Sequence, residues 1–150
     1  MAIYVTSDAH GHVRALDEAL SKISLTSDDT LYVLGDMIDR GPDPVGVINL
    51  VRSLPNARVL KGNHEQIMLD AIIGQDPLDA ETWDINGGWT TRQQLNEMEF
   101  EAYEGLVRWA AALPLYAVVE TAERPYLLVH AGVQTEAARA FLLEHGVDCG

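Results

Sequence analysis

Apolar and polar positions follow one another along the chain in a repeating order: a short apolar run, a polar cluster, then an apolar stripe at helical spacing. Ile3-Tyr4-Val5 predicts a buried strand, and Val13, Leu16, Leu20 and Ile23 behind it recur at the intervals of one helix face. Leu31-Tyr32-Val33-Leu34 predicts a second strand running into Gly35-Asp36, with residues 45–54 as the next helix. Residues 57–60 make a third strand before Gly62-Asn63-His64, and residues 65–73 a third helix. Strands alternating with helices imply βαβ units and a largely parallel sheet, whose ligand sites lie beyond the carboxyl ends of the strands. All three polar clusters stand at such ends.

Beyond residue 73 the pattern is less regular. Residues 74–88 read as loop, with Asp76-Pro77 and Gly87-Gly88 as breakers. Residues 89–113 read as helical in two pieces, stopped by Pro114. Residues 115–120 and 126–129 predict two strands joined by a polar turn, and the second runs into His130-Ala131-Gly132. A last helical pattern covers residues 137–143, before a short tail at 146–150. With no internal repeat or linker, the 150 residues are expected to form a single α/β domain.

Composition narrows the class. A hydrophobic share of 47% with 22% charged residues is ordinary for a soluble globular chain. The longest apolar stretches fall far short of the roughly 20 residues a membrane span needs, and no basic segment marks a leader. A single cysteine, Cys149, leaves no partner for an intramolecular disulfide and points to a reducing cytoplasm. The net charge of −13 opposes nucleic acid and anionic membranes, so neither is expected as a partner. Phosphate binding by so acidic a protein would require cations in the site.

The strand ends supply residues that hold cations. Asp8 and His10 are two apart, and a bend after Ser7 can aim both at one point. Carboxylate and imidazole suit manganese, iron or zinc; taken alone, the pair also fits a polar loop. Gly35-Asp36-Met37-Ile38-Asp39-Arg40-Gly41 is more specific, placing two acids and an arginine between glycines. There a carboxylate can bind metal and a guanidinium an anion, the plainer alternative being a turn held by an Asp39–Arg40 ion pair. In Gly62-Asn63-His64-Glu65, Asn63 offers a neutral oxygen and His64 a proton near neutral pH. A helix starting at about Glu65 would favour an anion nearby.

Asp8-x-His10-Gly11, Gly35-Asp36-x-x-Asp39-Arg40-Gly41, Gly62-Asn63-His64-Glu65 and His130-Ala131-Gly132 together resemble the ordered motifs of the calcineurin-like metallophosphoesterases. The Asp-Arg-Gly and Asn-His-Glu forms resemble the phosphoprotein phosphatase branch. Residues 83–88 and Leu113-Pro114-Leu115 are similar to its bacterial and phage serine/threonine phosphatases. The resemblance implies an α-β-β-α sandwich of mixed sheets flanked by helices. It implies that Asp8, His10 and Asp36 hold one metal, and that Asp36 bridges to a second bound also by Asn63 and His130. His64, oriented by Asp39, would protonate the leaving alkoxide. Arg40 would grip the phosphate, with Lys61 as a longer-range helper, and the nucleophile would be a metal-bound hydroxide. Two divalent ions are implied, manganese first, with iron or zinc as alternatives.

One departure stands out. Members of this branch continue for several dozen residues after the His-Ala-Gly motif, with a phosphate-binding arginine and a further histidine for the second metal. Neither follows Gly132. The chain is therefore expected to lack a C-terminal portion, to have an incomplete second sheet, and to be weakly active unless a partner supplies the rest. The remaining candidates are Arg139 and His145, of which His145 reads as a surface residue near a helix C-terminus. His12 reads as a loop histidine and Cys149 as incidental.

The leading functional expectation is a serine/threonine protein phosphatase acting on phosphorylated protein or another small phosphoester. Its rivals are a diadenosine tetraphosphate hydrolase and an inactive phosphate-binding or regulatory relative.

Overall fold

The computed structural model describes residues 2–74, 76–144 and 146. Three strands, β1 (Ile3–Thr6), β2 (Thr30–Val33) and β3 (Ala57–Val59), form a parallel sheet in the order β1-β2-β3. The helices between them are α1 (Val13–Ile23) and α2 (Pro44–Ser53), which pack on each other as consecutive crossovers of one hand require. Next come α3 (Asn63–Ile73), α4 (Asp79–Ile85), α5 (Trp89–Asn96) and α6 (Phe100–Ala111). A separate antiparallel hairpin of β4 (Tyr116–Val119) and β5 (Tyr126–Val129) precedes α7 (Thr135–Glu144). The organisation is the α/β one expected, with two strands in the second sheet among the described residues. None of the described helices is long and apolar enough to cross a membrane. His145 and Cys149 lie outside the described residues.

Register decides which strand residues meet the helices. Tyr4 pairs with Leu31 and Leu31 with Ala57, while Val33 pairs with Thr6 and Val59. Paired residues share a face, and Tyr4, Leu31, Ala57, Val33 and Val59 all belong to the core with Val47, Ile48, Val51 and Met68. The opposite face carries Ile3, Val5, Tyr32 and Arg58. Here the expectation of a buried first strand is corrected. β1 is an edge strand, and on that face of it Val5 is 50% exposed.

The second correction is α4, which lies inside the stretch read as loop. In the turn before it Asp76 accepts from the Leu78 N–H at 2.9 Å, and Asp79 and Glu81 in the first turn suit the positive end of a helix. Seven residues with one buried apolar side chain, Trp83, are too few to show a helical period.

Two buried carboxylates fasten the sheet's loops. Asp29 accepts from the Ala2 N–H at 2.6 Å, from the Thr26 N–H at 3.0 Å and from the Thr26 hydroxyl at 2.7 Å, which ties the start of β1 to β2. The Thr26 hydroxyl and the Ala2 N–H hold its carboxyl down to about 2. Glu65, fully buried, receives three backbone N–H groups: Asp36 at 2.9 Å, Met37 at 2.8 Å and Gly62 at 2.8 Å. Burial pushes the Glu65 carboxyl up, against the pull of those three donors.

A carboxyl depressed on folding adds stability above its unfolded pKa of about 3.9, and that contribution is lost as pH falls through about 2. Asp29→Asn is therefore expected to be less stable than the parent at pH 6, with the gap closing toward pH 2 in urea unfolding. A gap independent of pH would count against the assignment. Glu65→Leu strands three buried N–H groups and should lower stability by about 3 kcal/mol or more, at about 1 kcal/mol or more for each. Glu65→Gln, which keeps one acceptor oxygen, should lose less; equal losses in the same urea assay would contradict this account.

Candidate active site

The residues singled out in the sequence stand just beyond strand ends. Asp8 and His10 follow β1, and Asp36, Asp39 and Arg40 follow β2; Asn63 and His64 open α3 after β3, and His130 follows β5. Loop-to-loop backbone bonds bring the first two groups together, His10 N–H to the Asp36 carbonyl at 2.9 Å and Gly11 N–H to the Met37 carbonyl at 2.8 Å. Gly35 makes the third approach possible. A Cβ on it would sit 2.2 Å from the backbone nitrogen of Gly62, so only glycine lets the β2 and β3 loops touch.

The imidazoles are oriented by the main chain. His10 donates from Nδ1 to the Ile38 carbonyl at 2.8 Å, and His130 from Nδ1 to the Leu34 carbonyl at 2.6 Å. Each neutral ring therefore turns a lone pair on Nε2 toward the centre. Asp36, 3% exposed, lies between them, its Oδ2 3.7 Å from His10 Nε2 and 3.4 Å from His130 Nε2. Its Oδ1 accepts from the His64 N–H at 3.0 Å, so the anion that the α3 N-terminus faces is Asp36 itself. Asp8 Oδ1 is 4.0 Å from His10 Nε2, and the Ser7 hydroxyl donates to its other oxygen.

The donor set fits divalent cations. Asn63 Oδ1 and His130 Nε2 are 2.8 Å apart. In the neutral imidazole both are lone-pair atoms, an arrangement that a cation satisfies and a hydrogen bond does not. By proximity, ligand atoms form two groups, His10 with Asp36 and His64, and Asp8 with Asp36 and His130. This partition differs from the implied pairing of Asp8 with His10. Asp36 belongs to both groups, as a bridging carboxylate must.

Beside this centre lies an acid pair. His64, 1% exposed, donates from Nδ1 to Oδ2 of Asp39, which is completely buried, at 2.7 Å. Arg40 spans the two histidines, Nη2 donating to His64 Nε2 at 2.9 Å and Nη1 to His10 Nε2 at 3.1 Å. The alternative of an Asp39–Arg40 turn is thereby excluded, because the two side chains have other partners. Lys61 is aimed elsewhere: its ammonium donates to the Ala111 carbonyl at 3.1 Å, at the C-terminal end of α6, and to Gln66. His12 is an exposed loop residue and Arg139 an exposed residue of α7.

Three residues of the site escaped sequence reasoning. In the sequence Glu65 marks only a helix start, whereas in the fold its carboxylate clamps both loops. Trp83 and Thr91 reach Asp39 from α4 and α5, with Trp83 Nε1 donating at 3.0 Å and the Thr91 hydroxyl at 2.6 Å. Trp83 opens the motif at residues 83–88 and so carried a signal; Thr91 carried none. Of the six non-glycine residues with positive φ among those described, five are site residues: Asp8, His10, Asp36, Asp39 and Arg40. Such conformations cost about 1–3 kcal/mol each and cluster where function overrides stability.

A family model described as calcineurin-like phosphoesterase matches residues 1–147. The chain is 31% identical over 139 residues to the symmetrical bis(5'-nucleosyl)-tetraphosphatase of Proteus mirabilis, and 29% identical over 136 residues to that of Erwinia tasmaniensis. Each alignment covers 89% of this chain and 45% of the relative, so the chain spans less than half the length of the curated relatives it matches. Among solved structures, a metallophosphoesterase from Sphaerobacter thermophilus superposes with a TM-score of 0.54 at 28% identity, covering 78% of this chain and 42% of the other. A protein serine/threonine phosphatase from Saccharomyces cerevisiae shares the fold, with a TM-score of 0.60 at 21% identity, over 88% of this chain and 38% of its own. The paired lone-pair donors around Asp36, the order of the motifs and the match across nearly the whole chain agree: the protein belongs to the calcineurin-like phosphoesterase family.

Proposed function

We propose that the chain forms one metal-dependent phosphohydrolase domain, with a dinucleoside tetraphosphate as its first candidate substrate and a cytoplasmic location. The observation that carries the catalytic reading is the place of Asp36, its Oδ2 facing both His10 Nε2 and His130 Nε2. The substrate reading rests on the curated relatives, symmetrical bis(5'-nucleosyl)-tetraphosphatases. They reverse the order drawn from the sequence, in which a phosphoprotein came first.

Asp36 with His10 on one side and with Asn63 and His130 on the other, and Asp8 within reach of both sides, are the residues that would hold two divalent ions, manganese first and iron or zinc after it. Such ions polarise the phosphoryl group and lower the pKa of water. Arg40 supplies a planar pair of donors for phosphoryl oxygens. It also brings positive charge into a chain whose net charge is −13, where an anionic substrate is otherwise repelled. His64, once Arg40 turns from its Nε2 to the phosphoryl oxygens and a second proton occupies that nitrogen, gives the proton to the departing oxygen, and Asp39 holds the ring by its Nδ1–H.

A second reading, a serine/threonine phosphatase, has its own support. A nucleoside diphosphate departs without much help, whereas a serine or threonine alkoxide must be protonated as it leaves. A fully buried Asp39–His64 pair is apparatus for the harder leaving group.

Chelation should abolish turnover of an aryl phosphate and manganese should restore it. Asp36→Asn should bind manganese at least about 10-fold more weakly by calorimetry; unchanged affinity would remove Asp36 from the centre. Between the two substrates, kcat/KM decides. Diadenosine tetraphosphate is expected to be cleaved to two ADP with a higher kcat/KM than phosphate is released from a phosphoserine peptide. The opposite order would establish the second reading.

A further inference from the structure

We infer that Trp83 and Thr91 are positioning residues for the proton donor, locking the Asp39 carboxylate so that His64 presents one ring orientation to the departing oxygen. This deepens the proposed function and rests on its assignment of His64 as the acid.

Asp39 sits on a loop with positive φ, at 68°, and its carboxylate is completely buried. A buried carboxylate with one partner can still turn about its terminal torsion, which is soft, and would carry the imidazole with it. Here three side chains grip it. His64 Nδ1 donates to Oδ2 at 2.7 Å, and the Thr91 hydroxyl to Oδ1 at 2.6 Å. Trp83 Nε1 is shared between the two oxygens, at 3.0 and 3.2 Å. Thr91 closes a ring as well, because its Oγ1 accepts from the backbone N–H of Asp39 at 2.9 Å. One hydroxyl therefore fixes both the strained backbone and the side chain of the residue that orients the acid.

The platform is itself well held. The Trp83 indole lies against Gly88, where a Cβ would come within 2.2 Å of the ring, so the α4–α5 turn tolerates no side chain there. Gly87, one residue earlier, accepts the backbone N–H of Arg40 at 3.0 Å. The Arg92 guanidinium stands 6.0 Å from the Trp83 ring centre while pairing with Asp84. Thr90 makes the natural comparison: it is also buried, yet its hydroxyl has no partner among the described residues.

A mispositioned acid has a chemical signature that general damage lacks. Proton donation matters for a poor alkoxide leaving group and little for a good phenolate one. The quantity to measure is the ratio of kcat on an alkyl phosphate to kcat on a nitrophenyl phosphate, with manganese present. His64→Asn should lower that ratio by about 100-fold or more, the low end of what general acid catalysis contributes, and Trp83→Phe and Thr91→Val, which misplace the acid without removing it, by about 10-fold or more. Thr91→Ser should keep it, and Thr90→Val should leave it as in the parent. Adding Trp83→Phe to His64→Asn should lower it no further, since residues acting through one group are not additive.

Equal losses on both substrates, or a further fall in the double variant, would overturn the inference by making Trp83 and Thr91 structural only. If His64→Asn itself leaves the ratio intact, the assignment of the acid fails instead. A readout independent of turnover then decides the positioning. The Nδ1–H of His64 should give a slowly exchanging proton resonance in the parent and in Thr91→Ser. That signal should be lost to exchange in Trp83→Phe and Thr91→Val, and its persistence there would overturn the proposal.

Discussion

The carboxylate of Glu65 joins loops that no strand pairing connects. One oxygen receives the N–H groups of Asp36 and Gly62 and the other that of Met37, so the turn after β2 and the turn after β3 are fastened to a single rigid group. A charge buried this deeply is tolerated only with several donors around it. Because it has them, the backbone of Asp36 is fixed, and with it the carboxylate that faces both His10 and His130. The backbone of Gly62 is fixed as well, and Asn63 and His64 follow directly in the first turn of α3. Positions in the centre are therefore set by a residue that makes none of the implied metal contacts itself.

That rigidity has to be held against strain. Asp36, Asp39 and Arg40 all adopt left-handed backbone within one turn, and Asp8 and His10 do so in the turn facing it. Between the strained acids, Met37 and Ile38 are completely buried in the main core. Full burial of such a side chain contributes about 1.5–3 kcal/mol, similar to the cost of one strained residue. The loop thus alternates functional side chains turned to the centre with apolar anchors turned to the core. Its conformation is stable because the two sets point in opposite directions.

Under the proposed function, proton transfer and phosphate binding would share the same few ångströms. Arg40 reaches His10 and His64 together, so the group suited to hold phosphoryl oxygens touches both the cation side and the acid side of the site. Behind His64 the restraints continue through Asp39 to Trp83, on the α4 that packs beside α3, and to Thr91, on the α5 that packs beside α2. Under the proposed function, an acid supported in this way would serve a substrate whose leaving oxygen needs protonation. The dinucleoside tetraphosphate proposed first has a leaving group that needs it less. The distinction rests on leaving-group chemistry, which the fold alone does not set.

Much of this was legible in the chain itself. The parallel strands showed in short apolar runs, and the cation ligands showed because carboxylate and imidazole at strand ends are chemically conspicuous. Other features were not, for physical reasons that belong to particular residues. The exposed face of β1 depends on what covers the sheet, and Ile3 and Val5 look the same in sequence whether covered or not. α4 is too short for its period to register. Lys61 has the charge to assist a phosphate, but the free carbonyl at the end of α6 claims it. What the sequence by itself determined was residue type and spacing, hence the family of chemistry and the strand ends that bear it. Only the tertiary structure decided that Glu65 clamps the loops and that Trp83 and Thr91 close around Asp39. Those contacts join residues 28 to 52 positions apart, and nothing local in the chain records a partner that folding alone brings within hydrogen-bond reach.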